Sequence, residues 1–195
     1  LNIYNECVKA GSPDLPIIFT STSKITFPGA GVAVEAASPN NVALLKGRMK
    51  YQTIGPDKLN QLRHARMFRT VSDIERHMKR HAAILRPKFE TVEKELQKQL
   101  GDTGVAHWTT PKGGYFISLY VLEGCAKRVE QLCANAGMIL TPAGATYPYG
   151  IDPKDSNIRI APSYPSVEEI EKASEVLALA VRYAALEKLL SDKEN

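Results

Sequence analysis

The sequence predicts an α/β fold in two parts: the end of a larger mixed-sheet domain over residues 1–69, and a small α+β domain over residues 70–195. Three observations lead there. Short runs rich in β-branched and aromatic residues, at Ile17–Phe19, Val32–Ala37, Tyr115–Val121 and Asn157–Pro162, are bounded by Gly, Pro or hydroxyl residues, as strands are. Apolar residues at 71, 74, 78, 82, 85, 89, 92, 96 and 100 recur at steps of three or four, the period of one helix face. Ser166-Val167-Glu168-Glu169 then opens a final helical stretch with the residue types of a capping box.

Taken in order, Leu1 to Ala10 reads as a helix closed by Gly11, and Pro13 and Pro16 lead to a buried strand ending at Phe19. A tight turn over Pro28–Gly31 returns the chain through a second strand of the same sheet, Val32–Ala37. Ser38 or Asn40 caps the helix carrying Val42, Leu44, Leu45 and Met49, and a short helix from Asp57 to about Met67 follows the loop Tyr51–Pro56. The stripe from Thr70 to Leu100 keeps phase across Pro87, which predicts one long helix bent there, with Ser72-Asp73-Ile74-Glu75 as its capping box. Beyond Gly101 come a strand at Tyr115–Val121, a helix Cys125–Ala136 closed by Gly137, and a short strand Met138–Leu140. A Gly/Pro-rich loop, Pro142–Pro153, leads to the strand at Asn157, and the last helix runs from Ser166 to about Leu190.

Composition narrows the function. The chain is 44% hydrophobic, enough for a packed core, with no apolar run near the roughly 20 residues of a membrane span, and no basic-apolar leader opens it. A globular, cytoplasmic protein without a membrane partner is expected. The three cysteines, Cys7, Cys125 and Cys133, lack metal-ligand spacing and read as reduced thiols. The net charge of +4 is concentrated between Lys46 and Lys88, where twelve Lys/Arg face three Asp/Glu. With few aromatic residues and no nucleic-acid module there, solvated helix faces that steer small anions are the expectation, and no nucleic-acid partner. His77 and His81 stand four apart, but Met78 occupies the place a zinc-protease helix gives to glutamate and no third ligand is evident; no metal is expected.

The chemistry concentrates at Ser21-Thr22-Ser23-Lys24, directly after the first strand. Hydroxyls and loop N–H groups at a strand end can hold a phosphate dianion, and a partly desolvated lysine beside them is a nucleophile able to condense with an aldehyde. A solvated loop after a strand is the alternative for these four residues. In Ile158-Arg159-Ile160 the arginine falls on the face opposite its apolar neighbours, where a guanidinium can grip a carboxylate through two parallel bonds, or simply face solvent.

Ser21-Thr22-Ser23-Lys24 followed by Phe27-Pro28-Gly29-Ala30-Gly31-Val32 resembles the cofactor-lysine segment of fold-type I pyridoxal-phosphate aminotransferases, most of all bacterial class Ic aspartate aminotransferases. The stretch Gln52–His64, the Gly-Gly-aromatic strand entry Pro111–Phe116, the rim-like Leu140–Thr146 and Asn157–Ser163 are similar to the same family in the same order. The resemblance implies the C-terminal part of the PLP-dependent transferase fold. It implies a homodimer in which pyridoxal 5'-phosphate is held by Lys24, with Ser21 and Ser23, and less strongly Thr22, on its phosphate. Arg159 would hold the substrate α-carboxylate, and the Gly-Gly-aromatic entry would serve packing and domain closure. The activity implied is transfer of an amino group between an amino acid, aspartate or glutamate, and a 2-oxo acid, Lys24 moving the proton at the substrate Cα. Arg48 and Tyr51 are either contributors to the partner subunit's site or plain surface residues.

Two departures from the family pattern stand out. Val32 occupies the position, eight after the lysine, where many relatives carry a phosphate-binding arginine. The residues that pair with the pyridine nitrogen, stack on the ring and meet its phenolic oxygen belong upstream of Leu1. The chain therefore resembles the second half of an aminotransferase, expected to transaminate weakly or not at all alone. A cofactor-binding effector domain of a transcriptional regulator is the alternative from another class, and a cofactor-free interaction domain a third.

Overall fold

The computed structural model describes residues 2–194. The chain divides into two compact units, one up to His81 and one from Ala82, and the division falls inside a helix.

In the first unit, α1 (Ile3–Lys9) is capped by the Asn2 side chain, which accepts from the Asn5 N–H at 3.2 Å. Strands β1 (Ile18–Ser21) and β2 (Ala33–Ala36) form an antiparallel pair with Ile18 opposite Ala36 and Ser21 opposite Ala33. Of the two caps expected for α2 (Pro39–Met49), Ser38 serves, accepting from the Asn41 N–H at 3.3 Å with Pro39 in the first helical position. Asp57 caps α3 (Lys58–Met67) in the same way. The first strand was expected to be buried, yet Phe19 is 71% exposed and Ile18 half-buried. A two-stranded ribbon has no second layer of its own to cover either face. Among the described residues up to His81, only Pro16, Thr26 and Ser38 are buried.

The long helix is present as expected: α4 (Val71–Leu100) runs through Pro87 without interruption. Pro87 has no N–H to offer the Ala83 carbonyl, while its own carbonyl accepts from the Thr91 hydroxyl at 2.8 Å. The capping box lies two residues earlier than expected. Thr70 Oγ1 accepts from the Asp73 N–H, and the Asp73 carboxylate accepts from the N–H groups of Thr70 and Arg69 at 2.9 and 3.0 Å, so Ser72 and Glu75 are not the pair. Asp73 prevails because its short side chain reaches two free N–H groups at once.

In the second unit, β3 (Ala106–Trp108), β4 (Ile117–Val121) and β5 (Asn157–Ile160) form an antiparallel sheet in that order. The sequence did not single out β3, which is only three residues long. Met138–Leu140, expected as a strand, forms none. The Met138 N–H is bonded to the Cys133 carbonyl at 2.9 Å, closing the end of α5 (Ala126–Asn135), and so cannot join a ladder. The last helix, α6 (Val167–Glu194), opens with the expected capping box. The Ser166 N–H donates to the Glu169 carboxylate at 2.7 Å, and the Glu169 N–H donates to Ser166 Oγ at 3.2 Å.

The core sits here. Val92, Leu96 and Leu100 of α4, Ile117 and Leu119 of β4, Ile158 of β5, Val129 and Cys133 of α5, and Leu177 and Val181 of α6 are each at most 2% exposed. Alternation along β4 and β5 sends Ile117, Leu119, Val121, Ile158 and Ile160 into this core. Phe116, Ser118, Tyr120, Asn157 and Arg159 are left on the other face.

Candidate active site

The hydroxyl-lysine segment is a turn built around Thr22. Its N–H donates to the Val32 carbonyl and its Oγ1 accepts from the Val32 N–H, both at 2.9 Å. Its carbonyl accepts from the N–H groups of Ile25 and Thr26, both at 2.8 Å. The two neighbouring serines are turned outward: Ser21 and Ser23 are exposed, with their Oγ atoms 2.6 Å apart. One hydroxyl hydrogen lies between those oxygens, so the other is available to an outside acceptor. Lys24 is likewise exposed rather than partly desolvated as the sequence suggested. Thr22 Oγ1, the weaker phosphate candidate, lies within bonding distance of Thr26 and His64 as well as Val32 and faces inward.

Helix α3 closes around this turn from beneath. His64 Nε2 lies 2.7 Å from Thr26 Oγ1 and 3.2 Å from Thr22 Oγ1, while Nδ1 lies 2.9 Å from the Asn60 carbonyl. Asn60 Nδ2 donates to the Gly31 carbonyl at 3.3 Å. The far arm passes so close that a Cβ on Gly31 would stand 2.8 Å from the Ser23 backbone. None of Asn60, His64 or Thr26 was read as belonging to the site. No local pattern ties a helix residue to a turn some forty positions earlier.

Arg159 lies opposite Ser118 in the β4–β5 register, half-buried, with its guanidinium 4.7 Å from the centre of the Phe116 ring. Its Nε is buried without a hydrogen-bond partner, an orphan donor of the kind an incoming carboxylate satisfies. Phe116 therefore faces the arginine directly, beyond the packing role expected of its segment. Asn157, 3% exposed, accepts from the Thr146 hydroxyl and donates to Ser118 Oγ, each at 2.7 Å, joining the rim segment to this sheet face. Arg159 also borders a groove of about 190 Å³ lined by Met138, Leu140, Ile170 and Leu177. A separate opening of about 420 Å³ lies against Phe68, Arg76 and Arg80 and includes none of the residues read as site candidates.

Arg48 and Tyr51 are exposed, Tyr51 at 83%, with Lys50 Nζ 4.9 Å from the Tyr51 ring centre. His77 and His81 are packed ring to ring at 4.3 Å, and among the described residues no three His, Cys, Asp or Glu side chains are grouped as a metal site. No helix among them is long and apolar enough to cross a membrane.

The residues present fit the phosphorylated aldehyde cofactor that the resemblance implies. In the first unit, paired hydroxyls with a hydrogen to give suit a phosphate oxygen and an exposed primary amine stands next in sequence; in the second, taken by itself, the unpartnered Arg159 N–H suits a carboxylate.

A fold-type I aminotransferase architecture is the class these features define. The sequence pattern of the aspartate amino-transferase family matches residues 1–193, and the chain belongs to that family. A Mycolicibacterium smegmatis protein assigned to the aminotransferases is 48% identical over 193 residues, covering 99% of this chain and 45% of that protein. The crystal structure of an aspartate transaminase from Corynebacterium glutamicum superposes with a TM-score of 0.92 at 46% identity, over 96% of this chain and 44% of that one. An α-aminoadipate aminotransferase from Thermus thermophilus, solved with N-(5'-phosphopyridoxyl)-L-leucine, shares the fold with a TM-score of 0.76 at 20% identity, over 95% of this chain and 46% of that one. The chain thus spans less than half the length of the proteins it matches, and its fold corresponds to their C-terminal part.

Proposed function

We propose that the chain serves a pyridoxal-phosphate-dependent transamination in which an amino group passes between aspartate or glutamate and a 2-oxo acid. The observation that carries this reading is the outward pair of Ser21 and Ser23 hydroxyls beside the exposed Lys24 in a chain of this family. When bound, the cofactor supplies an aldehyde for the amine and a ring that takes up negative charge developing at the substrate Cα. The residues of this chain supply the rest. Ser21 and Ser23 hold the phosphate through hydroxyl and backbone donors, in place of the arginine that Val32 replaces. Lys24 holds the cofactor and carries the proton at the substrate Cα. Arg159, its guanidinium 4.7 Å from the Phe116 ring centre, fixes the substrate carboxylate and so the orientation of the bond that breaks.

In this reading residues 1–69 belong to the cofactor domain and 70–195 to the small domain of a cytoplasmic homodimer. The exposed Arg48 and Tyr51 face the partner subunit's site. Borohydride reduction in the presence of pyridoxal 5'-phosphate followed by peptide mapping tests the assignment. The expected label is on Lys24, and label on any other lysine overturns it. Alanine at Arg48 in the full-length enzyme is expected to raise KM for dicarboxylic substrates alone, and equal effects on alanine and aspartate would remove its role.

A further inference from the structure

We propose that His64 is a positioning residue for the phosphate-and-lysine turn, holding its shape before any ligand arrives. This rests on the reading of Ser21, Ser23 and Lys24 as the cofactor-binding segment. The argument begins with hydrogen bookkeeping at the ring. The Nδ1 neighbour is the Asn60 carbonyl at 2.9 Å, which can only accept, so Nδ1 carries the hydrogen. In the neutral ring Nε2 is then an acceptor, and at 2.7 Å it lies nearer the Thr26 hydroxyl than do the Thr22 carbonyl and Oγ1, at 3.2 and 3.1 Å, so the one Thr26 hydroxyl hydrogen goes to the ring.

Thr26 is 5% exposed, and its backbone N–H is already bonded to the Thr22 carbonyl, so its hydroxyl links the helix to the turn's centre. Thr22 Oγ1 accepts from the Val32 N–H and lies 3.2 Å from the same imidazole nitrogen. Val32 follows Gly31, the residue packed against Ser23 and bonded through its carbonyl to Asn60. Asn60 and His64 are four apart on α3 and share one face, so a single helix face grips both arms of the turn. Phe27, meeting His64 edge-on at 5.0 Å, covers the ring from the side. Thr22 and Thr26 face inward, and Ser21, Ser23 and Lys24 of the same segment are exposed. The fixed turn presents them together, which reduces the ordering cost of taking up a phosphate.

The test uses the whole 195-residue chain, isotope-labelled, as His64→Leu, His64→Gln and Thr26→Val variants beside the parent. In the parent, the ring-nitrogen shifts of His64 should report the Nδ1–H tautomer. His64→Leu and Thr26→Val should each speed amide hydrogen exchange at Thr26 and Val32 by about tenfold, with exchange in α5 and α6 unchanged. His64→Gln, which returns a polar atom near the Nε2 position, should recover most of the protection. Titration with inorganic phosphate should move the Ser21–Lys24 amides at lower concentration in the parent and His64→Gln than in His64→Leu.

An Nε2–H tautomer, unchanged exchange in both Thr26→Val and His64→Leu, or identical behaviour of the Leu and Gln variants would overturn the assignment. The exchange and tautomer results stand without any cofactor. If phosphate moves no amide of the segment in the parent while His64→Leu still loosens the turn, the cofactor reading fails and the bracing does not.

Discussion

Replacing Asp152 with asparagine is expected to weaken the approach to β5, and with it the strand that carries Arg159. One oxygen of the Asp152 carboxylate accepts from the N–H groups of Ser156 and Asn157, both at 2.8 Å, and the other accepts from the Lys154 N–H at 3.0 Å. Hydrogen bonds to a charged acceptor contribute about 1.5–3 kcal/mol each, against about 0.5–1.5 kcal/mol for neutral pairs. Asparagine keeps a single acceptor oxygen and turns an NH2 group toward donors, so a loss of about 2–3 kcal/mol is expected from these bonds.

The pH dependence has a definite sign. Burial pushes the Asp152 carboxyl up, but the N–H groups of Ser156, Asn157, Lys154 and Asp155 outweigh it and hold the carboxyl below the usual aspartate range. A depressed acid contributes stability that is complete above its unfolded value, about 3.9, and is lost as pH falls through the folded value. Urea unfolding of parent and Asp152→Asn at pH 7 and at a series of lower pH values reads this directly. The gap should be full at pH 7 and shrink below about pH 4. A variant within about 0.5 kcal/mol of the parent at pH 7, or a gap that widens on acidification, refutes the reasoning.

Further perturbations have equally definite outcomes. Gly144 has φ +89, and a Cβ there would collide with the Gly150 carbonyl oxygen, so Gly144→Ala should lower the melting temperature by several degrees, about 2 kcal/mol. Tyr149, in the same loop with φ 60 and 99% exposed, should respond oppositely, Tyr149→Gly raising stability by about 1 kcal/mol in the same scan. Burial pushes the Cys133 thiol up to about 11, so at pH 8 iodoacetamide should label the half-buried Cys7 in native protein and reach Cys133 only on unfolding, as mass spectrometry will read.

Most of the second unit was legible because its elements announce themselves locally. The stripe through α4 survives Pro87, the capping box at Ser166 fixes the start of α6, and alternation around Arg159 predicts the face it occupies. What escaped depends on contacts distant in sequence or on competition for one hydrogen bond. Met138–Leu140 has the composition of a strand, but its first N–H is taken by the end of α5. The box at Ser72 and Glu75 satisfies the pattern, yet Asp73 reaches two free N–H groups and prevails. His64 reads as an unremarkable helix residue until the fold brings it to Thr22 and Thr26. Phe116 joins Arg159 only because antiparallel pairing of β4 and β5 aligns them.

The distribution of buried apolar side chains leads to a last prediction. Among the described residues, every buried member of the core lies between Val92 and Ala185, and each fully buried Leu, Ile or Val contributes about 1.5–3 kcal/mol. Among its described residues the first unit offers none; Leu15, Phe19, Val34 and Leu44 are each more than half exposed, and polar links such as the His64 brace hold its turn. Net hydrogen-bond energies of about 1 kcal/mol each do not offset backbone ordering at about 1–2 kcal/mol per residue. A polypeptide of residues 82–195 should therefore unfold cooperatively in urea with helical circular dichroism, whereas residues 1–81 alone should give the spectrum of a largely unfolded chain. Cooperative unfolding of the 1–81 piece would mean that the polar framework around Thr22 suffices by itself. Loss of cooperativity in 82–195 would mean that the core depends on residues that do not line it.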